Sequence, residues 1–167
     1  AVMRFGGMII RRIRGILAEP AMPQVSQGQH PKDGSIEIQN VSFGYGNTDV
    51  VRNVSLRAES GSMIALVGPS GSGKSTIAAL TARQWDTRQG CVLIGGVDVR
   101  HMDEATLHKT VSMVLQDVVL FPMTVADNIR LGRQDAPLED VIAAARAACI
   151  HERIMQLPKG YETMLES

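Results

Sequence analysis

Apolar and polar residues alternate over Ile36–Val41, where Ile36, Ile38 and Val41 are spaced by Glu37 and Gln39, and the alternation returns over Val50–Leu56. Gly44, Gly46 and Asn47 interrupt the two runs, so the pattern predicts an antiparallel β piece with one buried face. Met63-Ile64-Ala65-Leu66-Val67 is apolar throughout and predicts a buried strand. Thr76–Ala82 predicts the helix that follows, and Cys91–Ile94 another strand, closed by Gly95-Gly96. Glu104–Lys109 predicts a short helix, and Val111–Leu115 a strand leading into Gln116-Asp117. Beyond Phe121-Pro122 the period becomes helical. Thr124 is placed to cap a helix through Ile129. Pro137, Glu139 and Asp140 open a helix that runs through Ala143–Ala148, and Ile150–Leu157 predicts one more. The order is α/β first and helical afterwards, with no internal repeat.

The start of the chain differs in kind. Ile9, Ile13, Ile16 and Leu17 recur at helical spacing, with Arg11, Arg12 and Arg14 between them. This stretch, Met8–Leu17, fits an organelle transit peptide, a solvated surface helix, or the cytosolic end of a helix leaving a membrane. Pro20–Gly34 is rich in Pro, Gln, Ser and Gly and reads as a linker. The 167 residues suffice for one domain with a core, and the net charge of zero offers no basic face for nucleic acid. No apolar run approaches the roughly 18 residues that a membrane span needs. Cys91 and Cys149 lack metal-ligand spacing and read as small buried apolar residues in a reducing compartment. The Ala start and the Ser167 end suggest a piece of something longer.

The chemistry concentrates in Gly68-Pro69-Ser70-Gly71-Ser72-Gly73-Lys74-Ser75, followed by Thr76. Two glycines flanking four residues, then Lys and Ser, is the phosphate-binding loop pattern, and it stands between a predicted strand and a predicted helix as that pattern requires. Backbone N–H groups from Gly71 to Ser75 can point into one concavity and donate to phosphate oxygens. The helix start adds its unpaired N–H groups and the positive end of its dipole. Lys74 supplies a point charge toward the β and γ phosphates, and the Ser75 hydroxyl is placed to ligate Mg²⁺. The alternative is a Gly/Ser-rich surface turn, which this setting disfavours.

Several further segments in order make the sequence resemble the nucleotide-binding domain of an ATP-binding cassette (ABC) transporter of exporter type, over about Ser35–Ser167. Val41-Ser42-Phe43-Gly44-Tyr45 is similar to the family's aromatic loop, which implies that Tyr45 stacks on adenine; Phe43 fits the core face better. Gly90–Asp98 is similar to the strand and turn after the first helix, and Val114-Leu115-Gln116-Asp117 to the glutamine loop. Leu120–Ile129 is similar to the segment after that loop, and Leu157–Thr163 to the lead-in of the signature loop.

The resemblance implies a P-loop NTPase core with an antiparallel β subdomain and the start of a helical subdomain. It divides the chain into a membrane-domain connector (1–19), a linker (20–34) and a partial nucleotide-binding domain (35–167), of which 35–115 is the ATP-binding core. It implies ATP and Mg²⁺ as ligands, Lys74 and Gln116 as catalytic residues, and Ser75 and Gln116 as holders of the metal. The implied partners are a membrane-spanning domain of the same transporter and a second nucleotide-binding domain, with no nucleic acid, at the cytoplasmic face of a membrane. In the family the signature Leu-Ser-Gly-Gly-Gln segment, the second acidic motif, the catalytic glutamate and the switch histidine all follow the point where Ser167 stands. The 167 residues alone are therefore expected to bind Mg·ATP weakly and not to turn it over.

Other residues carry less. Asp117 resembles a metal-holding aspartate after an apolar run, but Gln116 interrupts that run. His101, His108 and His151 show no ligand spacing. Met102, Met113, Met123, Met155 and Met164 read as packing residues. The rival functions are a soluble or nucleic-acid-associated cassette ATPase, and a non-catalytic nucleotide-binding fragment. Met8–Leu17 and Leu120–Ile129 speak against the first.

Overall fold

The computed structural model describes residues 21–166 together with Arg14, Leu17 and Ala18. Most of the amphipathic stretch Met8–Leu17 lies outside the described residues. No described helix is long and apolar enough to cross a membrane. The chain divides into two compact units, Ala1–Met113 and Val114–Ser167.

The first unit is built on four antiparallel strands: β1 (Ile36–Phe43), β2 (Val51–Ala58), β3 (Gln89–Ile94) and β4 (Val97–Asp98), in the order β2-β1-β3-β4. Ile38 faces Leu56 on one side and Val92 on the other. The register slips between Ile38 and Val41 and again before Phe43, which brings Val41 and Phe43 both into the core. Asn40 and Asn53 take left-handed backbone angles, φ 48° and 47°, beside these slips, a conformation Asn tolerates better than most residues. Serine hydroxyls accept the N–H groups the ladder loses: Asn40 N–H donates to Ser55 Oγ and Asn53 N–H to Ser42 Oγ, both at 2.9 Å. Ile38, Val41, Phe43, Val92 and Ile94 pack on Leu80 of α1 (Lys74–Thr81) and on Met102 and Leu107, the latter in α2 (Glu104–Thr110). Each such burial is worth about 1.5–3 kcal/mol.

The Pro/Gln-rich segment has no helix or strand from residue 21 to residue 35, yet it is bonded to the core along its length. Arg83 Nη2 donates to the Pro23 carbonyl at 2.6 Å, Gly28 N–H to Asp103 Oδ2 at 3.2 Å, and Gln29 N–H to the His101 carbonyl at 2.8 Å. Residue 28 must be glycine for this approach, because a Cβ there would lie 2.0 Å from the Asp103 nitrogen. Asp103 also caps α2 by accepting from Thr106 N–H at 2.8 Å. That bond above all, with further ones from the Thr106 hydroxyl and Gly28, outweighs desolvation and holds its carboxyl below the usual range.

Two sequence expectations are corrected here. Neither Met63–Val67 nor Val111–Leu115 forms a strand, and neither pairs with another strand among the described residues. Met63 is 98% exposed and Val114 92%. An apolar run carries the burial preference of a strand, but its ladder must be completed by another segment, and among the described residues neither run is paired onto the sheet, whose order is β2-β1-β3-β4. Ile64, Leu66 and Val111 instead line an apolar groove of about 290 Å³ with Ile38, Leu56 and Ile77.

The cysteines depart from expectation in their burial. Both are free thiols; Cys91 is half-buried, which pushes its thiol up, while Cys149 is exposed. Cys149 ends a helix. Its N–H donates to the Arg146 carbonyl and Ile150 N–H to the Ala145 carbonyl, both at 2.9 Å, with Cys149 at φ 58°. This is a Schellman close with a side chain at the position that favours glycine. Cys149→Gly is expected to stabilise the protein by about 1 kcal/mol by removing the left-handed penalty. An unchanged or lower urea midpoint would show that the thiol makes a compensating contact.

The second unit is helical, as the sequence predicts: α3 (Val125–Arg130), α4 (Leu138–Ala147) and α5 (His151–Met155), followed by a single 3₁₀ turn at Gly160–Glu162. Thr124 caps α3, its Oγ1 accepting from Asp127 N–H at 3.0 Å and donating to Asp127 Oδ2 at 2.7 Å. Val125, Ala126, Val141, Ala145, Ile154 and Tyr161 form its core, and the Tyr161 hydroxyl lies 2.9 Å from His151 Nδ1.

Candidate functional site

Gly68 to Gly73 form an irregular loop that delivers the chain into α1 at Lys74. Gly71 and Gly73 stand at φ 80° and 87°, so the loop uses glycine where a side chain would be strained. Gly73 is also packed: a Cβ there would come within 2.9 Å of Val51 Cγ2. The loop thus rests on the β2 end of the sheet.

Lys74 folds back over its own loop. Its Nζ donates to the carbonyls of Gly68 (2.9 Å) and Pro69 (2.8 Å) and to Ser72 Oγ (3.3 Å). The ammonium is thereby held inside the curve of the loop. The first turn of α1 has no side-chain cap and no acidic residue, so its N–H groups and dipole act together with Lys74. Ser70, Ser72 and Ser75 are exposed, and Thr76 is buried. This is a concentration of donors and one cation, with chemistry suited to a polyphosphate.

The structure joins Tyr45 to this loop. Its hydroxyl lies 3.3 Å from Thr76 Oγ1, although the residues are 31 apart in sequence. Phe43 is buried, as its place on the core face predicts, while Tyr45 is 55% exposed and presents its ring at the surface. Sequence reasoning passed over Trp85, the one tryptophan of the chain, whose ring centroid lies 5.5 Å from that of Tyr45. Only its rarity could have marked it.

Gln116 and Asp117 belong to the second unit, where they form an exposed bend. Among the described residues, no group of three or more His, Cys, Asp or Glu side chains is arranged to hold a metal ion.

A profile of the family described as ABC transporter matches residues 51–165. The chain belongs to the ABC transporter family. The mycobactin import ATP-binding/permease protein IrtA of Mycolicibacterium smegmatis is 45% identical over 163 residues, covering 96% of this chain and 19% of that protein. The cyclolysin secretion/processing ATP-binding protein CyaB of Bordetella pertussis is 48% identical over 134 residues, or 79% of this chain and 19% of CyaB. Among solved structures, a bacterial Atm1-family ABC exporter with ATP bound matches with a TM-score of 0.84 at 36% identity, over 98% of this chain and 30% of that one. The chain spans about a fifth of the length of the curated relatives it matches. As an ABC family member it has the P-loop ATPase fold with an antiparallel β piece, and the phosphate loop opens inside the matched region.

Proposed function

We propose that this chain is the ATP-binding part of an ABC transporter that couples ATP binding and hydrolysis to movement of a solute across a membrane, in the manner of exporter-type members. The observation that carries the reading is the Lys74 ammonium held within a glycine loop at an uncapped helix start, with Tyr45 tied to the same helix through Thr76.

The donor set fits a nucleoside triphosphate. Backbone N–H groups from Gly71 to Ser75 would bind phosphate oxygens, and Gly68, Pro69, Ser70, Ser72, Gly73 and Thr76 shape and brace that loop. Lys74 would neutralise charge on the terminal phosphates, which suits phosphoryl transfer, a reaction governed by positioning and charge stabilisation. Ser75 and Gln116 would hold Mg²⁺, whose charge would offset that of the phosphates. Tyr45 would stack on adenine. The partners are then a membrane-spanning domain of the same transporter and a second nucleotide-binding domain, with residues 1–19 as connector, 20–34 as linker and 35–167 as nucleotide-binding domain, at the cytoplasmic face of the membrane. Relatives named for import and for secretion are both similar to this segment, which supports a reading in which solute and direction are set elsewhere in the protein.

The test separates base from phosphate. Tyr45→Ala is expected to weaken Mg·ATP by about 1–3 kcal/mol, the worth of one base–aromatic stack, and to leave inorganic triphosphate unchanged. Calorimetric titration of both ligands reads the difference. Equal losses would make Tyr45 a structural residue.

A further inference from the structure

The loop that follows the phosphate helix turns back under the turn that carries Tyr45. Trp85 meets Tyr45 edge to face, with centroids 5.5 Å apart and planes at 83°. Phe43 meets the same ring at 5.2 Å and 88°, and Trp85 and Phe43 are themselves 6.0 Å apart. Three residues further on, Arg88 ties down the rest of the turn. Its guanidinium donates to Asp49 Oδ1 at 3.1 Å and to the Gly46 carbonyl, and its N–H donates to the Ser42 carbonyl at 3.2 Å.

These contacts have a purpose that burial does not explain. Trp85 is 49% exposed and Tyr45 55%, so the pair adds little to the core. Tyr45 also stands between Gly44 and Gly46 on an irregular turn, where a lone aromatic ring would sample several orientations. With near-perpendicular contacts to Phe43 and Trp85 and its hydroxyl at Thr76, the ring is held at three points. A ring so held meets a flat ligand without the entropic cost of ordering it.

We infer that Trp85 is a positioning residue for base recognition: it holds Tyr45 in the orientation that stacks on the base of a bound nucleotide. This rests on the reading of Tyr45 given under Proposed function. Because Trp85 comes only eleven residues after Lys74, one continuous segment carries the phosphate contacts and supports the base contact.

The experiment compares Mg·ATP and inorganic triphosphate binding to the wild type, Trp85→Ala, Trp85→Phe, Tyr45→Ala and the Trp85→Ala/Tyr45→Ala double variant. Trp85→Ala is expected to weaken ATP about three- to tenfold, the worth of one aromatic pair, while triphosphate stays within about twofold. Trp85→Phe should recover most of the loss. In the Tyr45→Ala background the Trp85 change should cost ATP nothing further, because the ring it positions is gone. A second readout is the emission of the single tryptophan, expected to change with ATP and not with triphosphate, and to lose that change in Tyr45→Ala. Equal loss of both ligands in Trp85→Ala and Trp85→Phe, or a full additive loss in the double variant, overturns the inference by making Trp85 a structural residue. No loss in Trp85→Ala with a loss in Tyr45→Ala overturns it while leaving the stacking role standing. No selective loss in Tyr45→Ala overturns both.

Discussion

Replacement of Lys74 by alanine is expected to remove most Mg·ATP binding, a loss on the order of a hundredfold or more, from charge-assisted bonds worth about 1.5–3 kcal/mol each. The lysine does two things that alanine cannot. It brings a positive charge to the mouth of a loop whose other groups are neutral dipoles, and charge is what a triphosphate presents. It also braces the loop, because its Nζ holds the Gly68 and Pro69 carbonyls at 2.9 and 2.8 Å and thereby fixes the arc on which the N–H groups stand. The loop residues are mostly exposed, so the substitution leaves no buried group unpaired and should not unfold the protein. The variant should keep its wild-type circular dichroism and urea midpoint while inorganic triphosphate and ATP are weakened together. Lys74→Ala and wild-type protein binding Mg·ATP with equal affinity would refute the role assigned to Lys74.

The largest stability effect is expected at Arg83, which follows the end of α1 opposite the glycine loop. Its side chain is 7% exposed and donates to Asp86 at 3.1 Å, to the Pro23 carbonyl at 2.6 Å and, at a longer 3.5 Å, to the Met102 carbonyl. Arg83 also closes α1 in the left-handed conformation, φ 50°, with its N–H on the Leu80 carbonyl and Gln84 N–H on that of Ala79. That is the same close that Cys149 makes after α4, and glycine would suit both. At residue 149 no side-chain hydrogen bond among the described residues offsets the strain; at residue 83 the buried guanidinium does. Arg83→Ala should therefore cost about 2–4 kcal/mol, less than a fully buried pair because Asp86 keeps access to water. Arg83→Gly should lose about 1 kcal/mol less than Arg83→Ala, since it removes the left-handed penalty. Urea unfolding should rank wild type above Arg83→Gly above Arg83→Ala. Both variants should also expose residues 21–30 to protease, because the Pro23 tether is lost. A glycine variant more stable than the wild type would mean that the three bonds contribute less than the left-handed penalty of about 1 kcal/mol.

Where the governing physics is local, the sequence was sufficient. The glycine-rich loop is legible because its glycines, lysine and hydroxyls act through backbone angles and hydrogen bonds among neighbours, and φ 80° at Gly71 and 87° at Gly73 are the angles that glycine permits. Thr124 is legible as a cap because the N–H that its hydroxyl accepts from lies three residues away, at Asp127. Phe43 is the last residue of β1 and stays in the core, whereas Tyr45 lies two residues beyond it, past Gly44, where the chain has left the strand and strand alternation no longer sets which side a residue faces. The helices after Pro122 follow from apolar spacing and from Pro137 with its acidic first turn.

Other features depend on what lies across space. Met63–Val67 and Val111–Leu115 read as strands because apolar runs record a preference for burial, but a strand exists only where a second segment accepts its N–H and C=O groups. Pro20–Gly34 reads as a linker because its composition forms no regular element. Its attachment comes from Arg83, Asp103 and the His101 carbonyl, none of which its own sequence can reveal. Trp85 and Tyr45 are 40 residues apart in sequence, and no periodicity connects them until the loop after α1 folds back. By itself, then, the sequence determined the family, the glycine-rich loop ahead of α1 and the local helices, whose interactions span a few residues. Tertiary structure alone decided which apolar runs find partners, where the linker rests and how the aromatic ring beside the loop is held, because each of these is a contact between segments that neither segment encodes alone.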